Sequence, residues 1–110
     1  MVCVAQLGRL EARRAELEQA GARLVTISVD TLEQSKGVTE KARLGFPILA
    51  DPRGEAAKAW GVWHERKGIA LPAVFVVGKD LRVAYRFASE LVTTRPPEDE
   101  VIAVVRGLAP

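Results

Sequence analysis

Cysteine and histidine are nearly absent from this chain of 110 residues, which has only Cys3 and His64. One cysteine cannot form an internal disulfide. One cysteine and one histidine are also too few for the four sulfur or nitrogen ligands of a structural zinc site. The sequence therefore predicts no disulfide framework and no structural zinc site, and no motif in it indicates another metal or a bound cofactor.

Long apolar runs and an excess of one charge are lacking as well. No apolar run approaches the ~20 residues that a membrane-spanning helix needs, and residues 1–4 lack the features of a signal peptide. The 16 basic and 14 acidic residues are interleaved and leave a net charge of +2. We therefore expect a cytoplasmic protein that binds neither membranes nor nucleic acid.

The first half of the chain predicts alternating helices and strands. Residues 4–20 have the composition and apolar spacing of an amphipathic helix, and Gly21 stands where a left-handed cap ends such a helix. Residues 23–29 are nearly uncharged and β-branched, which predicts a buried strand. Asp30 and Glu33 have the spacing of a capping box for a helix that ends near Leu44, with Gly45 behind it.

The second half predicts a short strand at 46–49, a turn at 51–54, a brief helix at 55–60 and a surface loop at 61–70. A β-hairpin follows, with strands at 72–77 and 81–87, and Pro96-Pro97 with the three acids at 98–100 mark the start of a last helix. This order indicates one layered α/β domain over residues 1–110. Because a strand normally leads into a helix like the first one, we expect the domain to be incomplete at its N-terminus.

Several segments, taken in order, resemble the alkyl hydroperoxide reductase and thiol-specific antioxidant family, the peroxiredoxins and their thioredoxin-like relatives. Each segment is a weak signal, but together they extend over nearly the whole chain. The segments similar to family motifs are Cys3-Val4-Ala5-Gln6-Leu7, residues 21–30 ending in Ser28-Val29-Asp30, Phe46-Pro47-Ile48-Leu49-Ala50-Asp51-Pro52, Ala59-Trp60-Gly61-Val62-Trp63, and Pro72-Ala73-Val74-Phe75-Val76-Val77 followed by Asp80.

The resemblance implies a thioredoxin-like fold, with a mixed central sheet flanked by helices and without the family's N-terminal strands. It also implies a thiol-dependent peroxidase in which Cys3 is oxidised by a hydroperoxide to a sulfenic acid. The amides at a helix start favour the reactive thiolate, and Gln6 and Pro72 would be active-site neighbours. With no second cysteine, thioredoxin or a small thiol would act as the reductant, and a homodimer is possible.

Two other functions stay open at this point. In the thioredoxin-like branch, Cys3 would be the resolving cysteine of a thiol-disulfide oxidoreductase, and Pro72 would be the cis-proline that packs against the redox cysteines. Alternatively, the chain is a catalytically silent thioredoxin-fold remnant that associates with another protein through an exposed sheet edge. The family's Thr or Cys three positions before Cys3 and its peroxide-activating arginine have no counterpart here, so we expect weak activity at most.

Three further residues have structural interpretations. Trp60 and Trp63 are expected to pack in and around the core rather than to form a substrate platform. His64 lies in a charged segment, and an exposed histidine of this kind usually takes no part in catalysis.

Overall fold

The computed structural model describes residues 4–89 and 98–108, which form helices interspersed with short strands. The helices are α1 (Val4–Ala12), α2 (Arg14–Gln19), α3 (Leu32–Lys41), α4 (Glu55–Ala59) and α5 (Glu98–Leu108). The strands are β1 (Thr26–Ser28), β2 (Ile48–Ala50), β3 (Trp63–His64), β4 (Ile69–Ala70), β5 (Ala73–Val77) and β6 (Val83–Ala88).

The helix predicted over 4–20 is divided into α1 and α2 at Arg13, whose backbone angles (φ −109°, ψ 9°) are not helical. The Arg13 guanidinium binds Glu16 on α2 at 2.7 Å and also Asp99 on α5. The predicted cap at Gly21 is confirmed: its φ is +84°, and its N–H donates to the carbonyl oxygen of Glu18 at 2.9 Å. This geometry ends α2 in the left-handed conformation that glycine tolerates.

Helix α3 is capped one residue later than predicted. Thr31, not Asp30, is the N-cap, and it forms a capping box with Gln34 through hydrogen bonds of 3.2 and 2.8 Å. Both pairs have the same spacing, and the Asp30 N–H is already donated to the Ser28 hydroxyl at 3.1 Å. The capping box that we predicted at Asp30 and Glu33 was therefore wrong by one residue, although the helix itself is confirmed.

The end of α3 also differs from the prediction. The helix ends at Lys41, and the residue with the left-handed φ of +53° is Arg43 rather than Gly45. Gly45 instead lies against α1 and α2, where a Cβ atom would come within 2.6 Å of the Arg14 guanidinium. The Gly45 N–H donates to the Glu11 carboxylate at 3.0 Å, and this bond, followed by the one from Arg14, lowers the pKa of Glu11.

In the described ranges, the strands form three separate pairs. Strands β1 and β2 are parallel, with Ile27 opposite Leu49, whereas β5 and β6 form the predicted antiparallel hairpin. The third pair, β3 with β4, is a small antiparallel ladder within 61–70, where we predicted a surface loop without strands. The α/β class and the mixture of parallel and antiparallel pairs agree with the prediction, but among the described residues the pairs do not join into the one central sheet that was expected.

Strand β1 is shorter and more exposed than predicted for 23–29. Only Thr26–Ser28 is β-strand, and the side chains of Val25 and Ile27 are 51% and 50% exposed. The prediction of a buried strand fails on one face: Ile27 is half-exposed, whereas Ser28, which alternation places on the opposite face of β1, is 6% exposed.

Buried side chains form two clusters in the described part of the chain. One joins α2, β5 and α5, and Ile102 at its centre is only 1% exposed. The other joins α1 to β2 and the segment that leads into it, and Leu24 contacts both clusters. The buried members are Leu17, Val76, Val101, Ile102 and Val105 in the first cluster, and Leu7, Leu44, Phe46 and Ile48 in the second.

Candidate functional site

The described residues enclose a cavity of about 380 Å³, here called the inter-sheet cavity. Its walls come from β1 and β5, which belong to different strand pairs, and from α1, α4 and α5. The residues that line it include Gln6, Leu7, Val25, Ile27, Ser28, Val29, Asp51, Trp60, Leu71, Ala73, Phe75, Val77 and Glu98.

The walls of the inter-sheet cavity are mainly apolar. Four large hydrophobic side chains that line it, Val25, Ile27, Trp60 and Val77, are 45–51% exposed. The Trp60 ring meets Phe75 edge-on, with the ring centroids 4.8 Å apart and the planes at 66°. Exposed apolar residues that are gathered in one concavity indicate a binding surface more strongly than the same residues scattered singly.

The carboxylates that line the inter-sheet cavity have partners within the protein. The Asp51 carboxylate accepts a hydrogen bond from the Ala57 N–H at 3.1 Å. Glu98 binds the Arg9 guanidinium at 2.8 Å, and this bond is the main reason why the pKa of Glu98 is lowered. Both carboxylates are thus held in place, and no lysine or arginine is among the lining residues in the described ranges.

The predicted site residues have different outcomes. Cys3 lies outside the described residues, in the position just before α1 begins at Val4. Gln6, in the first turn of α1, is partly buried and lines the inter-sheet cavity. Pro72 does not line it, although its neighbours Leu71 and Ala73 do. The Leu71–Pro72 peptide bond is trans, so the cis-proline that the thioredoxin-like alternative expects is not present.

Trp63 and His64, for which we expected structural roles, have contacts outside the inter-sheet cavity. The Trp63 ring packs against Gly54 and carries the Lys58 ammonium group 4.9 Å from its centroid. His64 accepts the Lys67 N–H on Nδ1 at 3.2 Å, a contact within its own turn.

Sequence reasoning missed the exposed hydrophobic residues of β1 and β5 as candidate binding residues. An apolar run such as 24–29 is typical of a buried strand, and exposure of Ile27 depends on which strand edges are paired. Arg86 was also left without a role: its guanidinium carbon lies 5.8 Å from the centroid of Phe75, directly across the β5–β6 ladder.

Residues 4–89 and 98–108 contain neither a metal-ligating cluster nor a helix that could span a membrane. No group of three or more His, Cys, Asp and Glu side chains is placed to hold a metal ion there. None of the helices in these ranges is both long and apolar enough to span a membrane.

Solved structures with the same architecture define the fold. Over 97% of the chain, the structure is similar to AhpC of Enterococcus faecalis, with a TM-score of 0.88, 22% identity and coverage of 66% of that chain. It is also similar to AhpC of Mycobacterium tuberculosis over 98% of the chain, with a TM-score of 0.83, 23% identity and coverage of 62% of that chain. The protein therefore has the thioredoxin-like α/β fold, as predicted.

The family follows from sequence. The model of the AhpC/TSA family matches residues 1–86, and the chain belongs to this family. A probable 1-Cys peroxiredoxin of Syntrichia ruralis is 30% identical over 97% of this chain and 55% of its own length. A 1-Cys peroxiredoxin of Medicago truncatula is 28% identical over 97% of this chain and 54% of its own. The chain thus spans about half the length of these curated relatives.

Proposed function

We propose that this chain carries the redox cysteine of a peroxiredoxin-type, thiol-dependent peroxidase, and that Cys3 is the nucleophile. The observation that carries the proposal is the match of residues 1–86, which include Cys3, to the AhpC/TSA family. The names of the two plant relatives specify one cysteine, and this chain has one.

In the proposed reaction, the Cys3 thiolate attacks one oxygen of a hydroperoxide and the O–O bond breaks. Sulfur is oxidised to the sulfenic acid, and the leaving alkoxide takes a proton to become an alcohol. A first external thiol then displaces water and forms a mixed disulfide with Cys3. A second thiol releases the Cys3 thiol and leaves the reductant as its disulfide.

The surroundings of α1 support a thiolate at this position. Helix N-termini favour negative charge, and the first turn of α1 has no acidic residue that would oppose it. Gln6 in that turn lines the inter-sheet cavity. We propose Gln6 and Pro72 as neighbours of the reacting sulfur; of the two, Gln6 lines the inter-sheet cavity.

The test is peroxide consumption by the purified chain, with dithiothreitol as the reductant and hydrogen peroxide or cumene hydroperoxide as the substrate. We expect a low rate that is lost in Cys3→Ser, and a dimedone adduct on Cys3 after a brief exposure to peroxide. Gly37→Ala, at an exposed position of α3 outside the inter-sheet cavity, keeps the thiol and is the control for handling and folding. A wild-type rate no higher than that of Cys3→Ser would refute the peroxidase proposal for this chain.

The finer parts of the function are proposals of the same kind. We propose thioredoxin or a low-molecular-weight thiol as the reductant. Three earlier expectations stay predictions: a cytoplasmic location, a homodimer, and a single domain over residues 1–110. Comparing turnover with thioredoxin and with glutathione identifies the reductant, and light scattering of the reduced chain measures its oligomeric state.

A further inference from the structure

The break between α1 and α2 is bridged by side chains on either side of Arg13. The main-chain hydrogen bonds at the break close three-residue turns: the Arg13 N–H donates to Leu10 at 3.1 Å, and the Glu16 N–H donates to Arg13 at 3.1 Å. An uninterrupted α-helix bonds each N–H to the fourth residue back, which keeps its axis straight. The angle between α1 and α2 therefore depends on side-chain contacts.

Glu11, in the last turn of α1, makes two of these contacts with one carboxylate oxygen. Its Oε2 atom accepts the Arg14 Nε–H at 3.0 Å and the Gly45 N–H at 3.0 Å. Arg14 belongs to α2, and Gly45 belongs to the segment that leads into β2. The side chains of Glu11 and Arg14 are only 23% and 32% exposed, so water screens this pair less than a fully exposed one. Hydrogen bonds to a charged acceptor are also the stronger kind.

Apolar packing holds α1 against the same segment. Leu7 is buried in one cluster with Leu44 and Phe46, the two neighbours of Gly45. Hydrophobic contact has no preferred direction, so it keeps α1 on the segment without fixing the angle of the helix. The directional bonds of Glu11 supply that angle.

Gly45 is small enough to allow the arrangement. A Cβ atom at this position would come within 2.6 Å of the Arg14 guanidinium. A side chain here would therefore push Arg14 away from Glu11.

A small change of angle at the break has a large effect at the other end of α1. The helix has nine residues and is ~13 Å long, so a turn of ~10° about the break moves its first residue by ~2 Å. Cys3 directly precedes that residue in the sequence, and Gln6 is in the first turn. Misplacement of a reacting group by ~1 Å is enough to lower a rate by ~100-fold.

We propose that Glu11 is a positioning residue, which sets the direction of α1 by binding Arg14 and Gly45 and so places the cysteine that precedes the helix. This inference rests on the proposed function, in which Cys3 is the nucleophile, and it adds a residue from the opposite end of α1. The effect is one of geometry rather than of charge. Glu11 is ~10 Å along the helix from Val4, beyond the screening length of ~8 Å at physiological ionic strength.

Residual dipolar couplings of the N–H groups measure the direction of α1 relative to α2 and need no activity. Glu11→Ala removes both bonds across the break. Glu18→Ala is the matched control, because it removes the other carboxylate partner of Arg14, which lies on α2 itself. We expect α1 to turn by ~10° in Glu11→Ala and to keep its direction in Glu18→Ala. An unchanged direction in Glu11→Ala would overturn the proposal.

The reaction of Cys3 supplies the functional test. The rate constant for hydrogen peroxide is compared with that for iodoacetamide at the same pH, because alkylation needs the thiolate but no alignment with an O–O bond. We expect the peroxide rate constant to fall ~tenfold in Glu11→Ala and ~threefold in Glu11→Gln, which keeps an acceptor for the Gly45 N–H. Alkylation in these variants, and both rate constants in Glu18→Ala, should change less than ~twofold.

Urea unfolding separates positioning from stability. A lower free energy of unfolding in Glu11→Ala, with the wild-type peroxide rate constant in the folded chain, would show that Glu11 is merely structural and would overturn the proposal. Circular dichroism checks folding, and Glu11→Gln replaces Glu11→Ala in every measurement if the latter does not fold.

Gly45→Ala tests the same contact with Glu11 intact. Because it displaces Arg14, it should turn α1 and lower the peroxide rate constant in the same direction as Glu11→Gln. Wild-type couplings and rate in this variant would show that Arg14 does not set the direction of α1. If the wild-type chain does not react with peroxide, the peroxidase proposal fails, whereas the couplings still decide whether Glu11 sets the direction of α1.

Discussion

Gly54→Ala should destabilise the protein by two separable effects, one from the backbone and one from packing. Gly54 precedes α4 in the turn 51–54 and has a φ of +69°. A Cβ atom there would lie 2.1, 2.5 and 2.7 Å from three carbons of the Trp63 indole. A left-handed backbone costs an L-residue ~1–2 kcal/mol, and forcing an extra methyl group into packed surroundings costs ~1–3 kcal/mol more. We expect a total loss of ~2–5 kcal/mol.

Gly61→Ala isolates the backbone effect. Gly61 has a φ of +74°, close to that of Gly54, but nothing lies within 4 Å of the position a Cβ atom would take. The expected loss is ~1–2 kcal/mol. Urea unfolding followed by circular dichroism measures both variants, and their difference gives the cost of displacing Trp63.

A double-mutant cycle then tests the cause. In a Trp63→Ala background the indole is gone, so Gly54→Ala should cost no more than Gly61→Ala does. The reasoning is refuted if Gly54→Ala and Gly61→Ala differ by less than ~0.5 kcal/mol in the wild-type background, or if removing the Trp63 ring leaves the cost of Gly54→Ala unchanged.

Three further substitutions test buried polar groups and acid sensitivity. Ser35 is 1% exposed and its hydroxyl has no hydrogen-bond partner in the structure, so Ser35→Ala should raise the free energy of unfolding by ~1 kcal/mol. Ser28→Ala removes the acceptor of the Asp30 N–H and should lower the free energy of unfolding by ~1 kcal/mol. Changes of the same sign in the two variants, measured by urea unfolding, would contradict this reasoning. Because the pKa of Glu98 is lowered from 4.5, its contribution is present above pH 4.5 and is lost as the pH falls through the folded-state pKa. Glu98→Gln should therefore cost ~0.5 kcal/mol at pH 7 and progressively less as the pH is lowered. A cost that does not fall with pH would show that the ion pair with Arg9 is not its source.

Features that depend on a few neighbouring residues could be predicted from the sequence. Gly21 ends α2 in the left-handed conformation, the turn 51–54 places Gly54 before α4, and the β5–β6 hairpin forms around residues 78–82. In each case, the residue type allows a backbone geometry that its neighbours cannot easily adopt. The order of these features and the family motifs also identified the α/β class and the thioredoxin-like fold.

Where two nearby residues could each cap the same helix, the contacts they make in the folded chain determined which one does. The Asp30–Glu33 and Thr31–Gln34 pairs have the same spacing, and the hydrogen bond from the Asp30 N–H to Ser28 accompanies the choice of Thr31 as the cap of α3. Gly45 does not cap that helix. Its lack of a side chain instead lets the Arg14 guanidinium lie against its backbone, where a Cβ atom would clash.

The inter-sheet cavity could be recognised only in three dimensions. Its walls bring together residues as far apart in sequence as Gln6 and Glu98, and they contain the same apolar types that form the core. Composition alone already excluded a disulfide framework and a multi-cysteine metal site. Whether Ile27 and Phe75 are buried or exposed depends on which strand edges are paired, and that pairing is a property of the folded chain as a whole.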